Sequence, residues 1–104
     1  MTLWIEVCDS NAILEEDVLH FEQDTRSFAI CRGEDGAWYA VDGLCTHEQV
    51  PLADGFVFGH ALECPRHQGR FDIRTGKALR APACVDLRTY PIKVEHGLVY
   101  LALD

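Results

Sequence analysis

Hydrophobic and polar residues alternate along most of this chain in short runs that end at turn-forming residues. The clearest case joins residues 27–32 to residues 37–41 across the turn at 33–36, which is typical of a β-hairpin. Shorter hairpins are predicted around residues 59–60 and 96–97, and single strands over residues 3–7, 18–22 and 71–73. The pattern therefore predicts an all-β fold, either a sandwich or a barrel.

Two local signals modify this pattern. Residues 10–14 begin with a capping serine and are predicted to form one short helical turn, although no longer stretch keeps a helical period. Pro91 interrupts the first strand of the last hairpin and has no N–H to donate. This strand is therefore predicted to lie at a sheet edge or to contain a bulge.

Length and charge narrow the function classes. A chain of 104 residues with 48% hydrophobic and 25% charged residues predicts one globular domain, residues 1–104. The net charge of -8 counts against binding nucleic acid or an anionic membrane, because both repel an acidic protein. No apolar run is long enough to span a bilayer, and the first residues lack the features of a signal peptide. We expect a cytoplasmic protein, with a monomer as the default.

The cysteine count favours reduced thiols. The chain has five cysteines, and an odd number without a signal peptide argues against a disulfide framework. Cys8, Cys31 and Cys84 have no ligand-spaced partner and are expected to be packed strand residues.

Two short motifs each combine a cysteine with a histidine. They are Cys45-Thr46-His47 and, after sixteen intervening residues, Cys64-Pro65-Arg66-His67. Two Cys and two His are compatible with structural zinc, although zinc fingers usually pair like ligands with wider spacing. They are also compatible with a [2Fe–2S] cluster in which two His replace two Cys on one iron. Four unliganded side chains are a third reading, but it needs two matched pairs to occur by chance. One Cys and one His from each loop favour the iron–sulfur cluster.

The second motif continues into a longer segment that resembles a known family. Residues 64–72, Cys-Pro-Arg-His-Gln-Gly-Arg-Phe-Asp, together with Cys45-Thr46-His47, are similar to the Rieske signature C-x-H…C-P-x-H-x-G-x-F. The resemblance implies a Rieske-like antiparallel β-sandwich with a small cluster-binding subdomain at about residues 44–77. It also implies one [2Fe–2S] cluster per chain, with Cys45 and Cys64 on the inner iron and His47 and His67 on the outer iron.

The same resemblance implies roles for residues around the cluster. Gly69 would allow the backbone to approach closely, and Pro82 would lie in a loop that restricts water. By this resemblance, the respiratory-complex branch of the family carries a serine and a tyrosine where this chain has Gly69 and Phe71, which have no hydroxyl to donate to sulfur. The potential is therefore expected near the low end of the Rieske range, roughly -150 mV.

Size places the chain nearest the small Rieske ferredoxins of bacterial aromatic-ring-hydroxylating dioxygenase systems. The resemblance implies an electron carrier, not an enzyme. It would take electrons from a flavin-dependent ferredoxin reductase and pass them to a terminal oxygenase. The alternative is a Rieske-type small subunit of another redox enzyme, such as assimilatory nitrite reductase.

Overall fold

The computed structural model describes residues 2–46, 49–66, 68–83 and 85–103 of the chain. Strands account for nearly all the regular structure in these ranges, and every strand pair is antiparallel. The strands are β1 (Leu3–Asp9), β2 (Asp17–Gln23), β3 (Arg26–Arg32), β4 (Trp38–Asp42), β5 (Phe56–Phe58), β6 (Ala61–Glu63), β7 (Arg70–Asp72), β8 (Ala78–Arg80), β9 (Thr89–Tyr90), β10 (Ile92–Glu95) and β11 (Leu98–Leu103). The all-β antiparallel fold predicted from the sequence is confirmed.

The strands form three sheets. The outer sheet has the order β1-β11-β10, the central sheet β2-β3-β4-β9, and the loop-bearing sheet β5-β6-β7-β8. Every predicted hairpin is present, because each turn joins strands that pair directly in the structure.

Strand β3 separates two hydrophobic cores. Its Phe28 and Ile30 side chains pack with Leu101 of β11 in the core between the outer and central sheets. Its Ala29 and Cys31 side chains lie in the second core, which the loop-bearing sheet covers. Successive side chains of a strand point to opposite faces, so a strand buried on both faces reads as a continuous apolar run. The uninterrupted run at residues 28–31 has this cause.

Pro91 marks the point where the chain moves from one sheet to another. Before it, β9 pairs with β4 in the central sheet; after it, β10 pairs with β11 in the outer sheet. Both strands lie at sheet edges, as the sequence predicts. The carbonyl of Pro91 still accepts a hydrogen bond from the N–H of Ala102, at 3.0 Å. The proline thus closes the corner with its one available backbone group.

The prediction of a short helix at residues 10–14 is wrong, because this segment forms non-helical turns and bends. Asp9 organises it instead: its side chain accepts the N–H of Asn11 and its carbonyl accepts the N–H of Ala12. Ile13 is 1% exposed in the core between the outer and central sheets. An Asx-type turn and one anchored side chain have replaced the helix.

Helical structure in the described ranges is confined to a three-residue 3-10 helix at Leu52–Asp54. No helix in that part of the chain has the length and apolar character to cross a lipid bilayer.

Candidate metal centre

Two loops of matching construction follow strands β4 and β6. The first spans residues 45–50 and is closed by a hydrogen bond from the N–H of Cys45 to the carbonyl of Val50, at 2.9 Å. The second spans residues 64–69 and is closed by the N–H of Cys64 and the carbonyl of Gly69, at 2.7 Å. Each loop therefore begins at a cysteine whose backbone is fixed by the residue five positions later.

The two loops also share a backbone conformation at their fifth residue. Gln49 has φ 58° and Gln68 has φ 62°, both in the left-handed region that non-glycine residues rarely adopt. Each glutamine lies four residues after the cysteine that opens its loop. The two loops thus turn at the same position, and we name them loop 1 (residues 45–50) and loop 2 (residues 64–69).

The opening cysteines share one buried environment. Cys45 and Cys64 are each 1% exposed and belong to the core beneath the loop-bearing sheet. Neither is in a disulfide. Two buried thiols at equivalent positions of matched loops suit the thiolate half of an iron–sulfur donor set, because such clusters are held by cysteine sulfur. The described half of the candidate site therefore fits the cluster.

The two candidate histidines, His47 and His67, lie outside the described residues, as do Glu48 and Cys84. Within the described ranges, no three His, Cys, Asp or Glu side chains come together as a metal site. Since half of the predicted ligand set falls in the gaps, the assignment of these histidines stays a prediction.

A third segment, residues 81–85, contacts both loops. The Thr46 hydroxyl of loop 1 donates to the carbonyl of Val85, at 2.8 Å. On loop 2, a Cβ added at Gly69 would lie 3.1 Å from both the backbone nitrogen and the Cβ of Ala83. Pro82, which follows a cis peptide bond, stands next to this contact and is partly buried. Because Gly69 has no side chain, loop 2 can pack closely against this third segment.

Replacing Thr46 with valine is expected to loosen the third segment. Valine keeps the shape but loses the hydroxyl that bonds Val85, so the free energy of unfolding should fall by about 1 kcal/mol. Amide hydrogen exchange between residues 80 and 88 should become faster. Thr46→Ser keeps the hydroxyl and is the control. Equal exchange rates in the two variants would mean that the hydrogen bond has no effect.

Glu63 and Arg70 form an ion pair beside loop 2 that the sequence analysis did not predict. Glu63, the last residue of β6, is only 7% exposed and lies opposite Arg70, the first residue of β7. The Arg70 Nε is 2.9 Å from the Glu63 Oε1. The sequence could have predicted this pair, because an acidic residue directly precedes loop 2 and a basic residue directly follows it.

Two further histidines and one further cysteine have structural environments. His20 lies 3.3 Å from the Glu22 carboxylate and His60 lies 3.2 Å from Asp35, each Nε2 to oxygen. Cys31 is fully buried in β3, and burial raises the pKa of its thiol well above the usual value. A thiol held protonated in this way is a packing group, as the sequence analysis expects for Cys31.

Relatives that match along the whole chain are ferredoxin components. The ferredoxin component of the naphthalene 1,2-dioxygenase system of Pseudomonas putida is 45% identical over 101 residues, covering 97% of this chain and 96% of the relative. Among solved structures, the Sphingomonas yanoikuyae B1 ferredoxin superposes with a TM-score of 0.89 at 32% identity, covering 96% and 98% of the two chains. A complex of reduced oxygenase and oxidized ferredoxin in carbazole 1,9a-dioxygenase contains a chain with a TM-score of 0.89 at 30% identity, covering 95% of this chain and 92% of that one.

The alternative from the sequence analysis also has a structural neighbour. A putative NADH-dependent nitrite reductase small subunit from Mycobacterium tuberculosis superposes with a TM-score of 0.87, covering 100% of this chain and 97% of that one. Its sequence identity is only 20%, so this likeness shows a shared fold and nothing about function.

The family itself is established by a match along most of the sequence. The model of the Rieske [2Fe-2S] domain matches residues 3–91, a range that contains both loops and the third segment. A [2Fe–2S] cluster is therefore the cofactor of this protein. The chain belongs to the Rieske [2Fe–2S] family.

Proposed function

We propose that this chain is the ferredoxin component of an aromatic-ring-hydroxylating dioxygenase system. It carries one electron at a time from a flavin-dependent ferredoxin reductase to a terminal Rieske non-haem iron oxygenase. The observation that carries the proposal is the pair of matched loops, each opening with a buried cysteine. Full-length relatives named as ferredoxin components support an electron carrier and not a catalytic subunit.

We assign the four ligands by combining loop geometry with motif position. Cys45 and Cys64 would hold the inner iron, because both thiols are buried at the openings of the loops. His47 and His67 would hold the outer iron, two and three residues further along. When bound, the cluster supplies a one-electron redox centre. The chain holds it with four side chains from two loops that the third segment braces.

The cluster-binding subdomain is proposed to be inserted in the base of a single Rieske domain, at about residues 44–77. Strand β8 lies just beyond this range and still pairs with β7 of the loop-bearing sheet. Gly69 and Pro82 are proposed to act next to the ligands through the packing of the third segment on loop 2.

An oxygenase partner is supported by the solved ferredoxin–oxygenase complex that contains a chain similar to this one. The flavin-dependent reductase, a monomeric state and a cytoplasmic location are proposed alongside it. Unbridged Cys8 and Cys31, which are not proposed ligands, suit a reducing compartment.

Reconstitution with purified components tests the proposal. The anaerobically purified chain should contain equal amounts of iron and acid-labile sulfide, and dithionite should reduce it by one electron to give a Rieske-type EPR signal. A mixture of a flavoprotein reductase and a Rieske oxygenase should show no NADH-dependent oxygenation by itself. Addition of this chain should restore that activity.

Two outcomes would redirect the assignment. Purified protein that contains zinc and no acid-labile sulfide would refute the assignment of a [2Fe–2S] cluster. A normal cluster that supports sirohaem nitrite reduction, but no oxygenase, would favour the nitrite reductase small subunit.

A further inference from the structure

The Glu63–Arg70 ion pair lies where loop 2 joins its two strands. The two residues face each other across β6 and β7, and their neighbours Cys64 and Gly69 form the backbone hydrogen bond that closes the loop. Glu63 is joined directly to Cys64, so its backbone is one peptide unit from a proposed ligand, about 3.8 Å between Cα atoms. The pairs His20–Glu22, His60–Asp35, Asp72–Arg74 and Lys93–Glu95 all lie further from Cys64 in sequence.

Two contacts hold the Arg70 side chain, one with the Glu63 carboxylate and one with an aromatic ring. The Glu63 side chain is 9% exposed, whereas that of Arg70 is 38% exposed. The Arg70 guanidinium also lies over the ring of Phe58, 5.5 Å from its centroid. An aromatic face and a carboxylate therefore fix the position of the positive charge.

We propose that the Glu63–Arg70 pair sets the reduction potential of the cluster held by Cys45, Cys64, His47 and His67. Reduction adds one electron and breaks no bond, so the reduced state carries one more negative charge. A nearby carboxylate disfavours that state, and a nearby guanidinium favours it. Arg70 offsets most of the effect of Glu63, and the potential depends on keeping both. The proposal rests on the ligand assignment given under the proposed function.

A purely structural role for the pair is the competing explanation, and the chain provides a matched control. Asp72 and Arg74 form the same type of pair, 3.1 Å between Oδ2 and Nη2, with the Asp72 side chain 14% exposed. Asp72 is two residues beyond Arg70 on β7 and on the same face, roughly 7 Å further from loop 2. Arg74 holds the pKa of the Asp72 carboxyl below its usual value, so the Asp72–Arg74 pair is ionised.

Voltammetry of single and double variants measures the effect. Glu63→Gln should raise the midpoint potential, and Arg70→Gln should lower it. Each change should alter the ratio of reduced to oxidised cluster at a fixed applied potential by about tenfold, the effect of a unit charge at a separation of roughly 12 Å in an effective dielectric of about 20. The double variant should return close to the starting potential. Asp72→Asn and Arg74→Gln should change the ratio less, by about fourfold at a separation roughly 7 Å larger.

Further measurements separate charge from packing. Arg70→Lys keeps the charge but loses the fixed guanidinium geometry, so it should recover most of the potential lost in Arg70→Gln. Visible circular dichroism checks that each variant holds an intact cluster. Shifts of the same sign in Glu63→Gln and Arg70→Gln, or equal shifts in the Asp72 and Arg74 variants, would overturn the proposal. An unmodified protein without a cluster spectrum would instead overturn the ligand assignment.

Discussion

Cys45→Ser and Cys64→Ser are each expected to leave the protein without its [2Fe–2S] cluster. Serine keeps the size of the side chain but replaces the thiolate that iron–sulfur clusters require. Each variant should lose the visible absorption bands and contain little iron or acid-labile sulfide after anaerobic reconstitution. Metal binding and folding are coupled, so each should also unfold at a lower temperature than the loaded parent protein.

Cys31 provides the matched control for loss of a buried thiol. It is 0% exposed in β3 and lies in the same core as Cys45 and Cys64, but it is not a proposed ligand. Cys31→Ala should cost some stability through a small cavity and keep a full complement of iron and sulfide. A Cys45→Ser or Cys64→Ser variant with the parent's spectrum and iron content would rule out that cysteine as a ligand.

The hairpins could be predicted from the sequence, because each depends on residues that are close together in the chain. A turn of two to four residues between alternating runs specifies both strands and their register, so the pairing of β3 with β4 and of β10 with β11 was accessible. Pro91 was equally informative, because a residue without an N–H is confined to particular places in a sheet. The chain's change of sheet at Pro91 depends on partners far away in sequence, and only the structure shows it.

The elements that the sequence did not predict depend on distant contacts. The turns at residues 10–14 follow from the anchoring of Ile13 in a core formed by β3 and β11. Strand β8 has only three residues and forms by pairing with β7 at a shifted register. The equally short β5 and β6 are joined by a two-residue turn that marks a hairpin, whereas five residues separate β7 from β8 and give no such signal.

The sequence predicts which residue types would bind the metal, but it does not predict the contacts that hold the two loops in place. Two Cys–His motifs predict the donor set because few metal centres combine these ligands in this spacing, and the structure describes the two cysteines of that set. The bond from Thr46 to Val85 spans 39 residues, and the contact of Gly69 with Ala83 also joins separate segments. No local pattern encodes such contacts. The match between loop 1 and loop 2 likewise emerges from backbone geometry, since after the cysteine their sequences agree only at the glutamine in the fifth position.

Gly76→Ala is expected to cause a large loss of stability at a position outside the ligands. Gly76 has φ +79°, and a Cβ at this position would lie 2.0 Å from the carbonyl oxygen of Leu87. The clash is with backbone, and the Gly76 carbonyl accepts the N–H of Leu87 at 2.7 Å, so separating the two segments breaks a hydrogen bond. Left-handed strain of about 1–2 kcal/mol adds to an overpacking cost of about 1–3 kcal/mol. The thermal midpoint of the loaded protein should therefore fall by more than about 10 °C.

Gly97→Ala isolates the backbone strain from the clash. Gly97 has φ +78°, almost the value of Gly76, but nothing lies within 4 Å of an added Cβ. Its variant should lose only the conformational term, the same strain of about 1–2 kcal/mol, so its thermal midpoint should fall by less than that of Gly76→Ala. Because Leu87 packs in the same core as Cys45 and Cys64, Gly76→Ala should also shorten the lifetime of the cluster's visible absorption on heating. Equal midpoints for the two variants would show that the contact between Gly76 and Leu87 relaxes without cost, and that the turn after β7 does not brace the metal centre.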